Sequence, residues 1–305
     1  MKLSFVIPCY RSENTIGTVV QEIRDTVATR PGIDYEIVLV NDCSPDNVWQ
    51  VIKQLAAEDS HIKGICLAKN FGQHSALMAG YGQTTGDYVI SLDDDGQTPA
   101  NECFKLVDKL EEGFDVVYAC HVRSTQKIYR RFGSFVNRKM AESIIGQPKN
   151  LHASSFFIAR KFVIDQITQY QNSFPYIGGL IFRTTKKIGS VEIQHRKRIL
   201  GESNYTLMSL LSLWINGFTA FSVKPLRIAT YIGILSALSG LGFGVYIIVR
   251  KIMMPDILIG YTSMMSVVLF IGGMIMLLLG LIGEYIGRIY ISINQAPQYV
   301  IREKV

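Results

Sequence analysis

Cysteine is scarce in this 305-residue sequence and follows no pairing pattern. Cys9, Cys43, Cys66, Cys103 and Cys120 are odd in number and form neither a C-x-x-C pair nor metal-ligand spacing. That argues against a disulfide framework and a structural zinc site, and predicts reduced core thiols in a cytosolic domain. A secretion signal is not expected from the first residues either: MKLSFVIPCY carries a single Lys, its apolar run is too short for a signal's hydrophobic region, and polar residues follow at once. The segment reads as a buried first strand. Charge is absent from two long stretches, Ile228–Val249 and Ile257–Gly283. Each reaches the roughly 20 apolar residues that a helix needs to cross a bilayer. Two core helices of a soluble protein are the competing reading, but core helices rarely exceed about 14 uninterrupted apolar residues.

The chain is 48% hydrophobic, with a mean hydropathy of +0.21, and the excess sits after Ile228. Two parts follow: a soluble one over 1–200 and a membrane hairpin over 227–290, with spans at about 228–249 and 257–283. Between them, 201–226 is a juxtamembrane segment, and Thr206–Ser222, apolar on one side with a Trp, reads as an interfacial helix. A cytosolic tail covers 291–305. The net charge of +6 suits nucleic acid or an anionic membrane face. Its location decides. Arg183, Lys186, Lys187, Arg196, Lys197 and Arg198, then Lys224 and Arg227, precede the first span, where anionic lipid headgroups lie, and do not interleave with stacking aromatics, so nucleic acid is not expected. The hairpin loop has only Arg250 and Lys251 as basic residues, which places both chain ends and the soluble domain on the cytosolic side of the inner membrane. Glycines such as Gly240, Gly244, Gly273 and Gly280 suit close helix approach within the hairpin or in a homo-oligomer.

In the soluble part, short apolar runs at Leu3–Pro8, Glu36–Asn41, Ile62–Ala68, Tyr88–Leu92 and Val116–Ala119 alternate with helical periodicity at 13–28, 46–58, 73–83 and 100–112. This predicts βαβ units and a parallel sheet covered on both faces. From 125 to 190 the pattern is more helical and less regular, with Ile128–Ile145 amphipathic, and SVEIQHRKR alternates like an edge strand. Ligands in such folds bind beyond the carboxyl ends of strands, here Pro8–Tyr10, Asn41–Ser44, Asn70–Phe71 and Asp93–Gln97.

SLDDDGQ follows an apolar strand directly, and three adjacent carboxylates repel unless a cation sits among them. In an extended segment Asp93 and Asp95 share a side while Asp94 points away. Hard oxygen ligands with room for substrate phosphate favour Mg²⁺ or Mn²⁺ over zinc. An acidic surface turn is the bland alternative. VNDCSPDN closes the second strand with Asp42 placed to meet a base or ribose, although the same string makes a good helix cap and turn.

VIPCYRSENTI, VNDCSPDNVW, LAKNFGQHSALMAG and SLDDDGQTPANE, in this order and spacing, resemble the successive motifs of family 2 glycosyltransferases with the GT-A fold, an α/β Rossmann-like nucleotide-sugar domain. RILGESNYTLMSLLSLWINGFTAFSVKPLRI followed by two spans resembles their polyprenyl-phosphate branch, which includes bactoprenol glucosyltransferases and the formamido-arabinose transferase. The resemblance implies an enzyme that moves a sugar from a nucleotide-sugar, a UDP-sugar by preference, to a polyprenyl phosphate with inversion. It implies that Pro8, Tyr10 and Asp42 hold the nucleoside and that Asp93 and Asp95 hold the ribose and the metal-bound diphosphate, with Asp95 as direct ligand. Gln97 follows the acids as in the family. Arg198 resembles the arginine that meets phosphate, with Ser203 and Tyr205 completing its loop. One position departs: in HASSFFIARKF, Ser154 or Ser155 stands where many relatives carry an aspartate. A phosphate-monoester acceptor, with a second pKa near 6, needs little proton removal. His152 or His74 are candidates to assist, against the commoner structural role of a lone histidine. The missing acid also motivates an alternative, a catalytically silent nucleotide-sugar binder or scaffold, although clustered carboxylates serve no purpose in a scaffold. A processive synthase is disfavoured by the two spans and the lack of a Q-x-x-R-W stretch.

Overall fold

A computed structural model of the chain describes residues 1–121, 151, 153–173, 175–193, 224–254, 261–294 and 297–305. It divides into two compact units, Met1–Tyr205 with Gln295–Val305, and Thr206–Asn294.

The first unit is built on strands β1 (Lys2–Cys9), β2 (Asp34–Asn41), β3 (Ile62–Leu67), β4 (Tyr88–Ser91), β5 (Val116–His121), β6 (Phe157–Arg160), β7 (Ile188–Ile193) and β8 (Ile301–Lys304). They form one sheet in the order β7-β5-β6-β4-β1-β2-β3-β8. The first half follows the expected pattern. β2, β1 and β4 are parallel, and so are β2 and β3, linked by α1 (Ile16–Ala28), α2 (Val48–Glu58) and α3 (Gln73–Tyr81). Beyond α4 (Cys103–Glu111), the all-parallel expectation is corrected: β6 runs antiparallel between β4 and β5, β7 pairs parallel with β5, and β8 pairs antiparallel with β3. β6 and β8 are four residues each, too short to show a period. β7 is an edge strand, as its alternation suggested. Helices α5 (Lys161–Thr168) and α6 (Ile177–Thr184) follow β6. The amphipathic stretch Ile128–Ile145, His152, the basic residues 194–198 and the segment 201–222 lie outside the described residues.

Both faces of the sheet are covered. Leu3, Phe5, Ile7, Ile37, Leu39 and Ile90 pack with an apolar stripe on α1 (Ile16, Val19, Val20, Ile23, Val27) and with Leu106, Val107 and Leu110 of α4. On the other face, a Cβ at Gly80 of α3 would lie 2.4 Å from Val6 and 3.0 Å from Val40, so only glycine lets that helix seat. Cys9, Cys66 and Cys103 are buried free thiols, as expected of core cysteines, and Cys120 is half-buried. Cys43 departs from that expectation: it is exposed at a strand end.

The C-terminal residues add to the sheet. Gln298 is buried, its amide donating to the carbonyls of Tyr170 and Asn172 at 3.1 and 3.0 Å. Glu303 accepts from Trp49 Nε1 at 3.0 Å and pairs with Lys53 at 2.7 Å.

The second unit contains α7 (Lys224–Met253) and α8 (Tyr261–Ile293). Windows Ala229–Tyr246 and Phe270–Gly287 are long and apolar enough to cross a membrane, and neither is buried in the protein. A soluble core helix would be covered; here Leu235 is 67% and Phe270 66% exposed.

Candidate active site

The parallel strands β1, β2, β3 and β4 end side by side, with Cys9 opposite Asn41, Asn41 opposite Cys66 and Val6 opposite Ser91. Their following loops therefore meet at one sheet edge. The chain turns sharply there: Arg11 and Cys43, neither of them glycine, adopt left-handed φ of 58° and 51°. Such conformations cost of order 1 kcal/mol or more and persist where surroundings enforce them. Here the loops lock each other, because Arg11 N–H donates to Ser44 Oγ at 2.7 Å, Asp42 N–H to the Cys9 carbonyl at 3.1 Å and Glu13 N–H to Asp46 at 3.0 Å. Pro8 is buried beneath this edge, while the ring of Tyr10 is 43% exposed above it. The Arg11 guanidinium lies over that ring, 5.5 Å from its centroid, beside the strand ends.

Asp42 is 4% exposed. Its two oxygens accept Phe71 N–H at 2.7 Å and Gly72 N–H at 2.8 Å, which ties the end of β2 to the entrance of α3. Burial raises its pKa, and the two N–H groups oppose that. A nucleoside contact by Asp42 would have to use the lone pairs that these donors leave.

The three consecutive acids have three different settings. Asp94 turns back to β1, accepting Tyr10 N–H at 2.9 Å, and burial together with neighbouring Asp93 pushes its pKa up to about 6. Asp95 accepts Gln97 N–H at 3.0 Å across Gly96, whose φ of 70° suits glycine. Asp93 accepts Gln73 Nε2 at 3.0 Å on one oxygen and the Ser155 hydroxyl on the other. The structure thus separates two serines that the sequence could not: Ser154 bonds the carbonyls of Ala119 and Phe156 and belongs to the frame, whereas Ser155 meets Asp93. His74 packs its ring edge-on against Tyr176, centroids 5.4 Å apart, and burial lowers its pKa, which keeps the imidazole neutral. Arg198, Ser203 and Tyr205 lie outside the described residues.

Among the described residues no three His, Cys, Asp or Glu side chains group into a metal cage. The carboxylates of Asp93 and Asp95 fit a hard divalent ion that completes its shell with phosphate oxygens and water, as Mg²⁺ and Mn²⁺ do. Gln73 is the site residue that sequence reasoning missed. It lies within the LAKNFGQHSALMAG motif and is first in the helix that follows β3, but nothing in the sequence pointed it at Asp93.

Comparison with known proteins places the chain in a family. The model of glycosyl transferase family 2 matches residues 4–168, and that of the GtrB C-terminal hairpin matches 224–289. An undecaprenyl-phosphate 4-deoxy-4-formamido-L-arabinose transferase of Klebsiella pneumoniae is 32% identical over 307 residues, spanning 100% of this chain and 94% of the relative. The Bacillus subtilis glycosyltransferase YkcC is 28% identical over 304 residues, spanning 99% and 94%. Among solved structures, Mycobacterium tuberculosis glucosyl-3-phosphoglycerate synthase in complex with Mn²⁺ and UDP-glucose shares the fold, with a TM-score of 0.52 at 19% identity over 70% of this chain and 74% of that one. The chain is a family 2 glycosyltransferase with a GT-A-like domain and a GtrB-type C-terminal hairpin.

Proposed function

We propose that this enzyme transfers a sugar from a nucleotide-sugar, a UDP-sugar by preference, to a polyprenyl phosphate such as undecaprenyl phosphate, yielding a lipid-linked sugar donor. The observation that carries the reading is the carboxylate pair Asp93 and Asp95 at the sheet edge, in a chain matched from end to end by undecaprenyl-phosphate sugar transferases. Tyr10 and Pro8 form the nucleoside platform with Asp42 at its side. Asp93 and Asp95 hold Mg²⁺ or Mn²⁺. When bound, that ion neutralises the departing diphosphate. Arg198 adds positive charge to the same leaving group, and Ser203 and Tyr205 receive the lipid phosphate.

A phosphate oxygen of the lipid attacks the anomeric carbon as the bond from that carbon to the diphosphate breaks, and the nucleoside diphosphate departs with the electron pair. Direct displacement inverts the anomeric centre. The acceptor is mostly dianionic at neutral pH, so Ser155 in place of a carboxylate removes no base the reaction needs. Ser155 orients Asp93 instead. Basic residues ahead of the first span, Lys186 and Lys187 among them, suit anionic lipid headgroups. In this reading both hairpin ends serve one compartment, the cytosol that supplies nucleotide-sugars; the return of the chain to the sheet unit after α8 supports a shared side.

Full-length enzyme in detergent, given a panel of labelled nucleotide-sugars with or without undecaprenyl phosphate, should form labelled lipid from one donor, of opposite anomeric configuration. Donor hydrolysis without labelled lipid, or binding without turnover of any donor, contradicts the reading; the latter is the behaviour of a silent binder.

A further inference from the structure

Gln73 has no assigned part, yet it touches the acid pair. It is the first residue of α3, exposed, and its Nε2 donates to Asp93 Oδ1 at 3.0 Å, while Ser155 donates to Oδ2. The Asp93 carboxylate is therefore held at both oxygens by neutral donors that are 20 and 62 residues away in sequence. An amide and a hydroxyl fix the plane of a carboxylate and are themselves neutral, so neither cancels its charge as a lysine would. Asp95 differs in that its backbone donor, Gln97, comes from the same loop.

Gln73 is itself held from below. Gly72, with φ of 88°, is the N-cap of α3, and its N–H and that of Phe71 are both claimed by Asp42. One network thus runs from the end of β2 through the entrance of α3 to the end of β4 and the approach to β6. Asp42 sets the helix start, the helix start sets Gln73, and Gln73 sets Asp93.

We propose that Gln73 is a positioning residue for Asp93, holding its carboxylate in the orientation that meets a diphosphate-bound divalent cation. This rests on the reading of the edge as a nucleotide-sugar site. The test compares full-length wild type with Gln73→Met, which keeps the side-chain length and removes the donor, and Gln73→Glu, which sets a like charge against Asp93. UDP affinity is measured by calorimetry with Mn²⁺ and with EDTA, alongside thermal melting. The expected result is a loss of about tenfold or more in the Mn²⁺-dependent gain of UDP affinity for Gln73→Met, a larger loss for Gln73→Glu, and unchanged melting and EDTA affinity for Gln73→Met. A Gln73→Met protein with the full wild-type gain overturns the inference and leaves the proposed function standing. Equal losses in Mn²⁺ and in EDTA also overturn it, because they mark a role in shaping the site as a whole. Wild type with no Mn²⁺-dependent gain overturns both the inference and the reading it rests on.

Discussion

At the scale of single residues, the three consecutive aspartates divide their labour by direction. Alternation along an extended chain predicts that Asp94 faces away from its neighbours, but β4 stops at Ser91 and Asp94 and Asp95 lie in a turn, so Asp94 reaches Tyr10 N–H by that turn and not by strand alternation. The partners of Asp93 were not legible, because Gln73 and Ser155 are brought to it by the fold and no local spacing announces them. The choice between Ser154 and Ser155 was likewise decided by which way each hydroxyl turns. If Asp93 and Asp95 are the metal ligands proposed above, removing either should cost more than removing its support. Asp93→Asn and Asp95→Asn are expected to lower transfer by about a hundredfold or more, and Ser155→Ala by no more than about tenfold, the worth of one neutral hydrogen bond. A steady-state assay at saturating donor separates these; a Ser155→Ala enzyme as inactive as the aspartate variants would show that Ser155 does more than orient. The rate should also fall below about pH 6, where the acceptor phosphate takes up a proton and Asp94, raised to about 6 by burial, does so too, and this inflection should persist in Ser155→Ala and His74→Ala.

At the scale of elements, periodicity was legible wherever a segment was long enough to show it. α1, α2 and α4, and strands β1 to β5, lie within a few residues of their expected bounds. β6 and β8 were missed, as four residues carry too little pattern, and β6 enters antiparallel, which no local signal encodes. α3 is a different case. It is buried on nearly every side, and its seating depends on Gly80 against Val6 and Val40. Gly80→Ala gains helix propensity but forces the helix off the sheet, and should destabilise by about 1–3 kcal/mol, read as a lower denaturant midpoint. An unchanged midpoint would mean that the helix can shift without loss.

At the scale of the whole molecule, chain ends and charge matter. The residues beyond α8, expected as a tail, include β8, which covers the exposed edge of β3 and is fastened by Glu303 to Trp49 and Lys53. Deleting Ile301–Val305 should lower the melting temperature and promote aggregation through the uncovered edge, which light scattering would detect. Stability should also depend on Glu36, 2% exposed. Burial works to raise its pKa, but the Lys63 ammonium and the donors of Ser4 and Thr85 prevail and hold it down to about 2. A group with a lowered folded pKa stabilises above its unfolded value, about 4.3, and loses that contribution as the pH falls towards 2. Glu36→Gln should cost about 2 kcal/mol at pH 7, less than a fully buried pair because Lys63 is half in solvent, and should flatten the decline in stability between about pH 4.3 and 2. An equally steep decline in the variant would place the acid-sensitive group elsewhere.

The proposal that ties these scales together is that Asp93 and Asp95 serve metal-dependent sugar transfer to a lipid phosphate. The most direct measurement is formation of labelled polyprenyl-phosphate sugar by full-length enzyme in Mg²⁺ and in EDTA, for wild type and Asp95→Ala, with melting temperatures alongside. Labelled lipid in Mg²⁺ alone, and its loss in a folded Asp95→Ala protein, is the expected result. Labelled lipid at undiminished rate in EDTA, or from Asp95→Ala, would contradict it.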